Sequence, residues 1–197
     1  MAPSNQQALH VLLLLLVLSY SVDTAAKHNT TVSCLPDQAS SILRLKDSFI
    51  DIDSKLASWQ AGRDCCQWEG VTCGMASGTV ISLDLGGFNL QSSRLDSALF
   101  NLTSLRNLNF ASNDFRSAHL PSYGFERLID MVHLNFSATN FFGQIPIGIA
   151  RLKNLVSLDF SHNNGMYLQE PNFLILIANL SNLKELHFDE VDISRSG

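Results

Sequence analysis

From Val80 onward one pattern returns five times, and it leaves the chain few ways to fold. It reads apolar, two variable residues, apolar, one variable, apolar, two variable, then often Asn, one variable, apolar. The copies begin at Val80, Leu105, Met131, Leu155 and Leu183, spaced 25, 26, 24 and 28 residues apart. They continue through Leu83, Leu85 and Leu90; Leu108, Phe110, Asn113 and Phe115; Leu134, Phe136, Thr139 and Phe141; Leu158, Phe160 and Asn163; and Leu186, Phe188, Val191 and Ile193. The fourth copy lapses at Gly165, and the stretch to Pro171 breaks the period. Alternating apolar residues predict a short strand in each copy, with its apolar side chains turned inward. A return loop then lays the next strand parallel beside the last, through a right-handed connection. One copy buries too little apolar surface to offset the entropy of ordering it, so stability belongs to the stacked array. The expected fold is an α/β, right-handed solenoid with a parallel sheet on its concave face.

Asn113 and Asn163 fall at an interior turn of their copies. There no strand partner exists, and their amides can bond the backbone of the adjacent turn. Losing such a buried bond costs about 1–3 kcal/mol. Thr139 can substitute in part, whereas Phe88 and Val191 cannot. The ladder of side-chain bonds should therefore be interrupted at both ends.

The segment before the repeats has two parts. Val11 to Leu18 is an unbroken apolar run, followed by small residues with Ala25 and Ala26 as a cleavage point. Such a run is far shorter than the ~20 residues a membrane span needs, so residues 1–26 read as a signal peptide, although no Lys or Arg precedes the run. The longest later apolar run, Phe173 to Ala178, cannot insert in a membrane either. Residues 27–79 read as a cap. Pro36-Asp37-Gln38 can open a helix, with Ala39, Ile42, Leu43, Lys46 and Phe49 on one face. Trp59 and Trp68 read as cap core.

Cys34, Cys65, Cys66 and Cys73 are the only cysteines, and in an exported chain an even count reads as disulfides. Adjacent Cα atoms lie about 3.8 Å apart, which disfavours a Cys65–Cys66 bond. Of the two pairings left, Cys34–Cys65 with Cys66–Cys73 is the expected one. The spacing offers no paired C-x-x-C knuckles for zinc, so no metal and no cofactor are expected.

The cap residues Cys34-Leu-Pro-Asp37, Leu56-Ala-Ser-Trp59, Asp64-Cys-Cys66 and Trp68-Glu-Gly-Val-Thr-Cys73 resemble the plant-type N-terminal cap of leucine-rich-repeat receptors. Gly143-Gln-Ile-Pro146 resembles the plant-specific Gly-x-Ile-Pro signature, with Leu120-Pro121 a partial second. Phe125-Glu-Arg-Leu128, Asn179-Leu-Ser-Asn-Leu183 and Val191-Asp-Ile-Ser194 add to the likeness. The chain thus resembles the plant receptor-like proteins of pathogen resistance. Family members carry more repeats, a C-terminal cap, a membrane span and a short tail. Residues 80–197 hold about five repeats, the last incomplete and without a C-terminal cap. Leu183, Leu186 and Phe188 should then present an open apolar end.

No phosphate loop, Gly-x-Gly-x-x-Gly, His-Glu-x-x-His or Gly-x-Ser-x-Gly occurs. Asp51 and Asp53 read as a solvated pair. His133, His162 and His187 sit at different strand positions, which specifies no common metal ion. The chain is therefore read as a non-enzyme. Its net charge is −5, and its Lys and Arg residues are scattered singly, which excludes a nucleic-acid surface.

What remains is the outward face of the sheet. Its candidate ligand residues are Arg106, Asn107, Asn109, His133, Asn135, Asp159, His162, Lys184, Glu185, His187 and Asp189, and the variable positions Ala111, Ser112, Val132, Ser137, Ala138, Val156, Ser157, Ser161 and Glu190 should face outward beside them. Few large aromatics stand there, which suits polar or peptide recognition. Glycosylation sequons begin at Asn29, Asn101, Asn135 and Asn179. Asn101 and Asn179 share one phase, four residues before their repeats. The resemblance implies a receptor ectodomain that senses an extracellular protein, peptide or glycan, including one of pathogen origin, and signals through a partner kinase such as a co-receptor. It would act in the secretory pathway, at the extracellular face of the plasma membrane if full length, and otherwise be secreted or retained in the endoplasmic reticulum. The alternative is a secreted inhibitor of a wall-degrading enzyme, similar to the polygalacturonase-inhibiting proteins.

Overall fold

The computed structural model describes residues 32–169 and 172–193, so the expected signal peptide and the Asn29 sequon lie outside the described residues. In chain order the elements are α1 (Pro36–Lys46), β1 (Ile50–Asp51), β2 (Val71–Cys73), β3 (Val80–Asp84), β4 (Leu90–Gln91), β5 (Asn107–Asn109), β6 (His133–Asn135), β7 (Phe142–Gln144), β8 (Ser157–Asp159), β9 (Gly165–Tyr167), α2 (Asn172–Asn179) and β10 (Glu185–His187). Single 3-10 turns at Ser97–Asn101, Phe125–Arg127 and Ile147–Arg151 carry the return path of three repeats.

The main sheet runs β2, β3, β5, β6, β8, β10. From β3 onward every pairing is parallel, and the register aligns Leu83, Leu108, Leu134, Leu158 and Leu186 in one row. The first four of these are at most 1% exposed, so the repeat leucines do share one interior. The cap adds one strand, β2, to the sheet. It pairs antiparallel with β3, because the short connection Gly74–Thr79 can only fold the chain back on itself.

Phenylalanine fills the next interior row. Phe110 stacks on Phe136 at 5.7 Å and Phe136 on Phe160 at 5.5 Å, with interplanar angles of 13° and 12°. Phe115 stacks on Phe141 at 4.2 Å in the layer behind. The last member is looser: Phe160 meets Phe188 at 6.1 Å and 60°, and Leu183, Leu186 and Phe188 are only half-buried.

The sequence break after Asn163 is not a structural one. Gly165–Tyr167 forms β9, which pairs parallel with β7, and Met166 and Leu168 are buried in place of the missing side chain at Gly165. Helix α2 then replaces the 3-10 turn of earlier repeats and packs against Ile147–Arg151, which lengthens this repeat. Gly143, in the Gly-x-Ile-Pro segment, adopts φ +95°, and a Cβ there would lie 2.3 Å from His119 Nδ1. Backbone conformation and space both require glycine.

The interior asparagines close the turns between repeats. Asn113 accepts from the Leu90 N–H at 2.8 Å and donates to the carbonyls of Leu85 and Phe110, each at 2.8 Å. Asn163 accepts from the N–H groups of Thr139 and Phe141, each at 3.2 Å, and donates to Phe136 O at 2.8 Å and Phe160 O at 3.0 Å. The Thr139 hydroxyl, among the described residues, bonds only Phe136 O of its own turn and Asn163 Oδ1. Phe88 and Val191 bring backbone bonds alone, so the ladder does stop at both ends.

In the cap, disulfides join Cys34 to Cys65 and Cys66 to Cys73, each with Cα atoms 5.4 Å apart. The Asp64 carboxylate accepts from the N–H groups of Cys34 and Cys66. Trp59 and Trp68 are buried and stack at 5.9 Å. The fully buried face of α1 is Gln38, Ser41, Ile42 and Leu45, while Ala39 and Leu43 of the expected face pack half-buried at its edge, as does Phe49 beyond the helix. The helix stops at Lys46, whose Nζ donates to Trp59 O at 2.7 Å, and Phe49 lies beyond it against Phe110 and Phe115. The buried polar Gln38 accepts from the Val80 N–H at 2.6 Å, tying the cap to the first repeat.

Candidate functional site

The parallel register sorts the outward positions into rows. One row is Ser82, Asn107, His133, Ser157 and Glu185. A second is Asp84, Asn109, Asn135, Asp159 and His187. A third lies nearer the start of the strands: Arg106 O accepts from Val132 N–H at 2.7 Å, Val132 O from Val156 N–H at 2.8 Å, and Val156 O from Lys184 N–H at 2.8 Å.

The rows differ in how free their side chains are. In the second row each side-chain oxygen accepts from the N–H two residues on: Asp84 from Gly86, Asn109 from Ala111, Asn135 from Ser137 and Asp159 from Ser161. This is the Asx turn, which steers the chain out of the strand. Asn109 also donates to Asp84 at 2.8 Å. Asn109, Asn135 and Asp159, read from sequence as ligand residues, therefore build the turns that the face rests on. Ser161, expected to point outward, is buried and bonds Asp159.

The turn continues with a residue at positive φ in every repeat: Gly87, Ser112, Ala138, His162 and Glu190, at +68°, +58°, +50°, +58° and +68°. His162 and Glu190 are adjacent in this series, and His162 Nδ1 lies 3.2 Å from Glu190 Oε1. The three candidate histidines thus diverge. His133 is in the first row, His187 in the second and His162 on the turn beyond. Asp189 is exposed on the turn of the last repeat.

Arg106, Val132, Val156 and Lys184 line a cleft of about 620 Å³ together with Asp130, Asn154 and Asn182. Arg106 and Lys184 were singled out in the sequence, but the cleft was not. Its signal was the first variable position of each repeat, read down the repeats rather than along them. A second cleft, of about 600 Å³, lies on the return side between Tyr123, Ile147, Arg151 and Ile175.

Elsewhere the candidate chemistry is structural. Asp51 accepts from the N–H groups of Lys55 and Leu56, each at 2.8 Å, which fixes the loop after β1, and the exposed Asp53 accepts from Asn89 Nδ2. The cysteine sulfurs cluster within 4.8 Å but are joined in pairs, leaving no thiolate for a metal among the described residues. At Asp114 the Asn140 amide and the Arg116 backbone N–H hold the carboxyl below the usual carboxylate range.

Among the sequons, Asn101 and Asn179 end the return segments Ser97–Asn101 and Asn172–Asn179, at equivalent places in their repeats. Asn135 stands on the sheet face. Its Oδ1 accepts twice from Ser137, from the N–H and the hydroxyl, each at 2.8 Å, while its Nδ2 donates to nothing among the described residues. We expect a glycan on Asn135 Nδ2 in the secreted protein. Peptide mapping after deglycosylation in heavy-oxygen water checks this, and an unmodified Asn135 in the mature protein would refute it.

A family model described as leucine rich repeat N-terminal domain matches residues 35–74. Receptor-like protein 6 of Arabidopsis thaliana is 37% identical over 190 residues, covering 84% of this chain and 19% of that protein. The chain spans about a fifth of the length of the curated relatives it matches. Among solved structures, the BIR2 ectodomain of Arabidopsis thaliana superposes with a TM-score of 0.66 at 25% identity, covering 76% of this chain and 77% of that one. The Arabidopsis receptor kinase HAESA, in complex with the peptide hormone IDA and the co-receptor SERK1, superposes with a TM-score of 0.66 at 26% identity, covering 80% and 30% of the two chains. No helix among the described residues is long and apolar enough to cross a membrane.

Proposed function

We propose that this chain, a homologue of the N-terminal part of plant receptor-like proteins, is the non-catalytic recognition end of an extracellular receptor. Residues 1–26 direct it into the secretory pathway, residues 27–79 cap the solenoid, and residues 80–197 form the sensing repeats. An extracellular peptide, protein or glycan binds across the outward rows of the sheet. The complex then engages a partner kinase, as HAESA is found with the peptide hormone IDA and the co-receptor SERK1.

The observation that carries this reading is the row Asn107, His133, Ser157 and Glu185. It is held in register over an unbroken core, and none of these side chains bonds another group among the described residues. Polar side chains kept in fixed register without an internal partner are what a recognition surface needs. A buried core underneath makes them rigid, which lowers the entropic cost of binding. Nothing comparable supports a reaction. The one histidine–carboxylate pair among the described residues, His162 with Glu190, is solvent-exposed on both sides.

The test is a quadruple substitution of Asn107, His133, Ser157 and Glu185 by alanine in the full-length receptor. Secretion and the circular-dichroism spectrum should be unchanged, while the ligand-triggered response is lost. A response of normal size from a correctly secreted variant would remove recognition from this face.

A further inference from the structure

Resting on that reading, we infer that the cleft along the leading edge of the sheet binds an extended acidic peptide, with one carboxylate at Arg106, one at Lys184 and a small aliphatic side chain between them. The two cations are exposed, and neither has an ion-pair or side-chain hydrogen-bond partner among the described residues. They close the two ends of a row whose middle is Val132 and Val156, both half-buried. Three strand spacings separate the ends, about 14 Å at ~4.8 Å each. An extended peptide rises about 3.3–3.4 Å per residue. Carboxylates four residues apart therefore match the two cations, and the residue midway between them falls on the valines.

The outer wall completes the match. Asn154 Nδ2 donates to Ile129 O at 3.0 Å and Asn182 Nδ2 to Lys153 O at 2.8 Å, which fixes both amides. Their Oδ1 atoms accept nothing among the described residues, and Asp130 stands in the same wall. These acceptors suit the backbone N–H groups of a peptide. They disfavour an acidic polysaccharide, which carries a carboxylate on every sugar and would place negative charge on the valines and beside Asp130. No aromatic ring lines this cleft, so its selectivity is electrostatic at the ends and apolar at the centre.

The probe is the pentapeptide acetyl-Asp-Ala-Val-Ala-Asp-amide, titrated calorimetrically into the secreted, disulfide-bonded protein. Saturable one-to-one binding is expected with a dissociation constant of about 1 mM or tighter. It should weaken about tenfold in the Arg106→Glu, Lys184→Glu double variant and on raising salt from low to high ionic strength. The milder Arg106→Gln, Lys184→Gln pair guards against misfolding and should weaken binding about threefold. Asp130→Asn should tighten it by a similar factor. Absence of saturable binding, equal binding by both double variants and the wild type, or tighter binding of tetragalacturonate than of the peptide would each overturn the inference. If the cleft variants leave the receptor response intact while the Asn107, His133, Ser157, Glu185 substitution abolishes it, this cleft is wrong and the recognition reading stands.

Discussion

Phe136→Ala should lower the unfolding free energy by about 3–5 kcal/mol, the usual range for deleting a fully buried phenylalanine. The ring is 0% exposed and lies at the crossing of four aromatic contacts, stacked on Phe110 and Phe160 and edge-on to Phe125 and Phe141. Neighbouring repeats hold the cavity open on both sides, so the space cannot collapse by moving one strand. Phe188 occupies the same place in the last repeat but is half-buried and touches one ring only among the described residues. Phe188→Ala should therefore cost less than half as much. Phe136→Leu, which keeps most of the volume, should fall between them. Urea unfolding with the disulfides intact measures all three, and the slope against urea should stay constant if only the native state is affected. Equal losses at Phe136 and Phe188 would show that burial does not accumulate along the stack, contrary to a single shared interior.

That contrast also explains what could be read from the sequence. The spacing of Leu108, Leu134 and Leu158 places them in one row because a strand has a period of two and a parallel ladder preserves register. Nothing else satisfies both constraints at a repeat of this length. The turn asparagines were legible for the same reason: a polar residue at an interior position must find partners. What was not legible lies in backbone geometry, which the pattern of side chains does not report. Asn109, Asn135 and Asp159 look like free outward residues in any one repeat. Their Asx bonds arise from the turn geometry that begins two residues later. The fourth copy lapses at Gly165 in the sequence because the pattern counts side chains, whereas β9 is held to β7 by backbone bonds that any residue can make. The antiparallel β2 was hidden similarly, since Val71-Thr-Cys73 carries no alternation long enough to signal a strand.

Asn163 is the place where turn chemistry and core packing meet, and its substitutions should separate the two. The side chain is 2% exposed and bonds the backbone of its own turn and of the preceding repeat. Asn163→Ala leaves the N–H groups of Thr139 and Phe141 and the Phe160 carbonyl without a partner in a region closed to water, while Phe136 O keeps the Thr139 hydroxyl. Unsatisfied buried groups cost about 1–3 kcal/mol each, although Thr139 and a trapped water can satisfy part of the set, so a loss of about 2–4 kcal/mol is expected. Asn163→Asp tests the donors alone, because it keeps the shape and the acceptor. Ionised, it turns two donated bonds into two repulsions with Phe136 O and Phe160 O; protonated, it can still donate once. Burial beside those carbonyls must raise its folded-state pKa above the ordinary value of about 3.9. The folded state then binds more protons than the unfolded state, so stability falls as pH rises. The Asp variant should lie close to wild type at pH 4 and approach the Ala variant at pH 7. Thermal unfolding of the three proteins at both pH values, each variant being compared with wild type at the same pH, gives the answer. An Asp variant as stable at pH 7 as at pH 4 would mean that Asn163 donates nothing to the two carbonyls, and that packing alone holds the turns together.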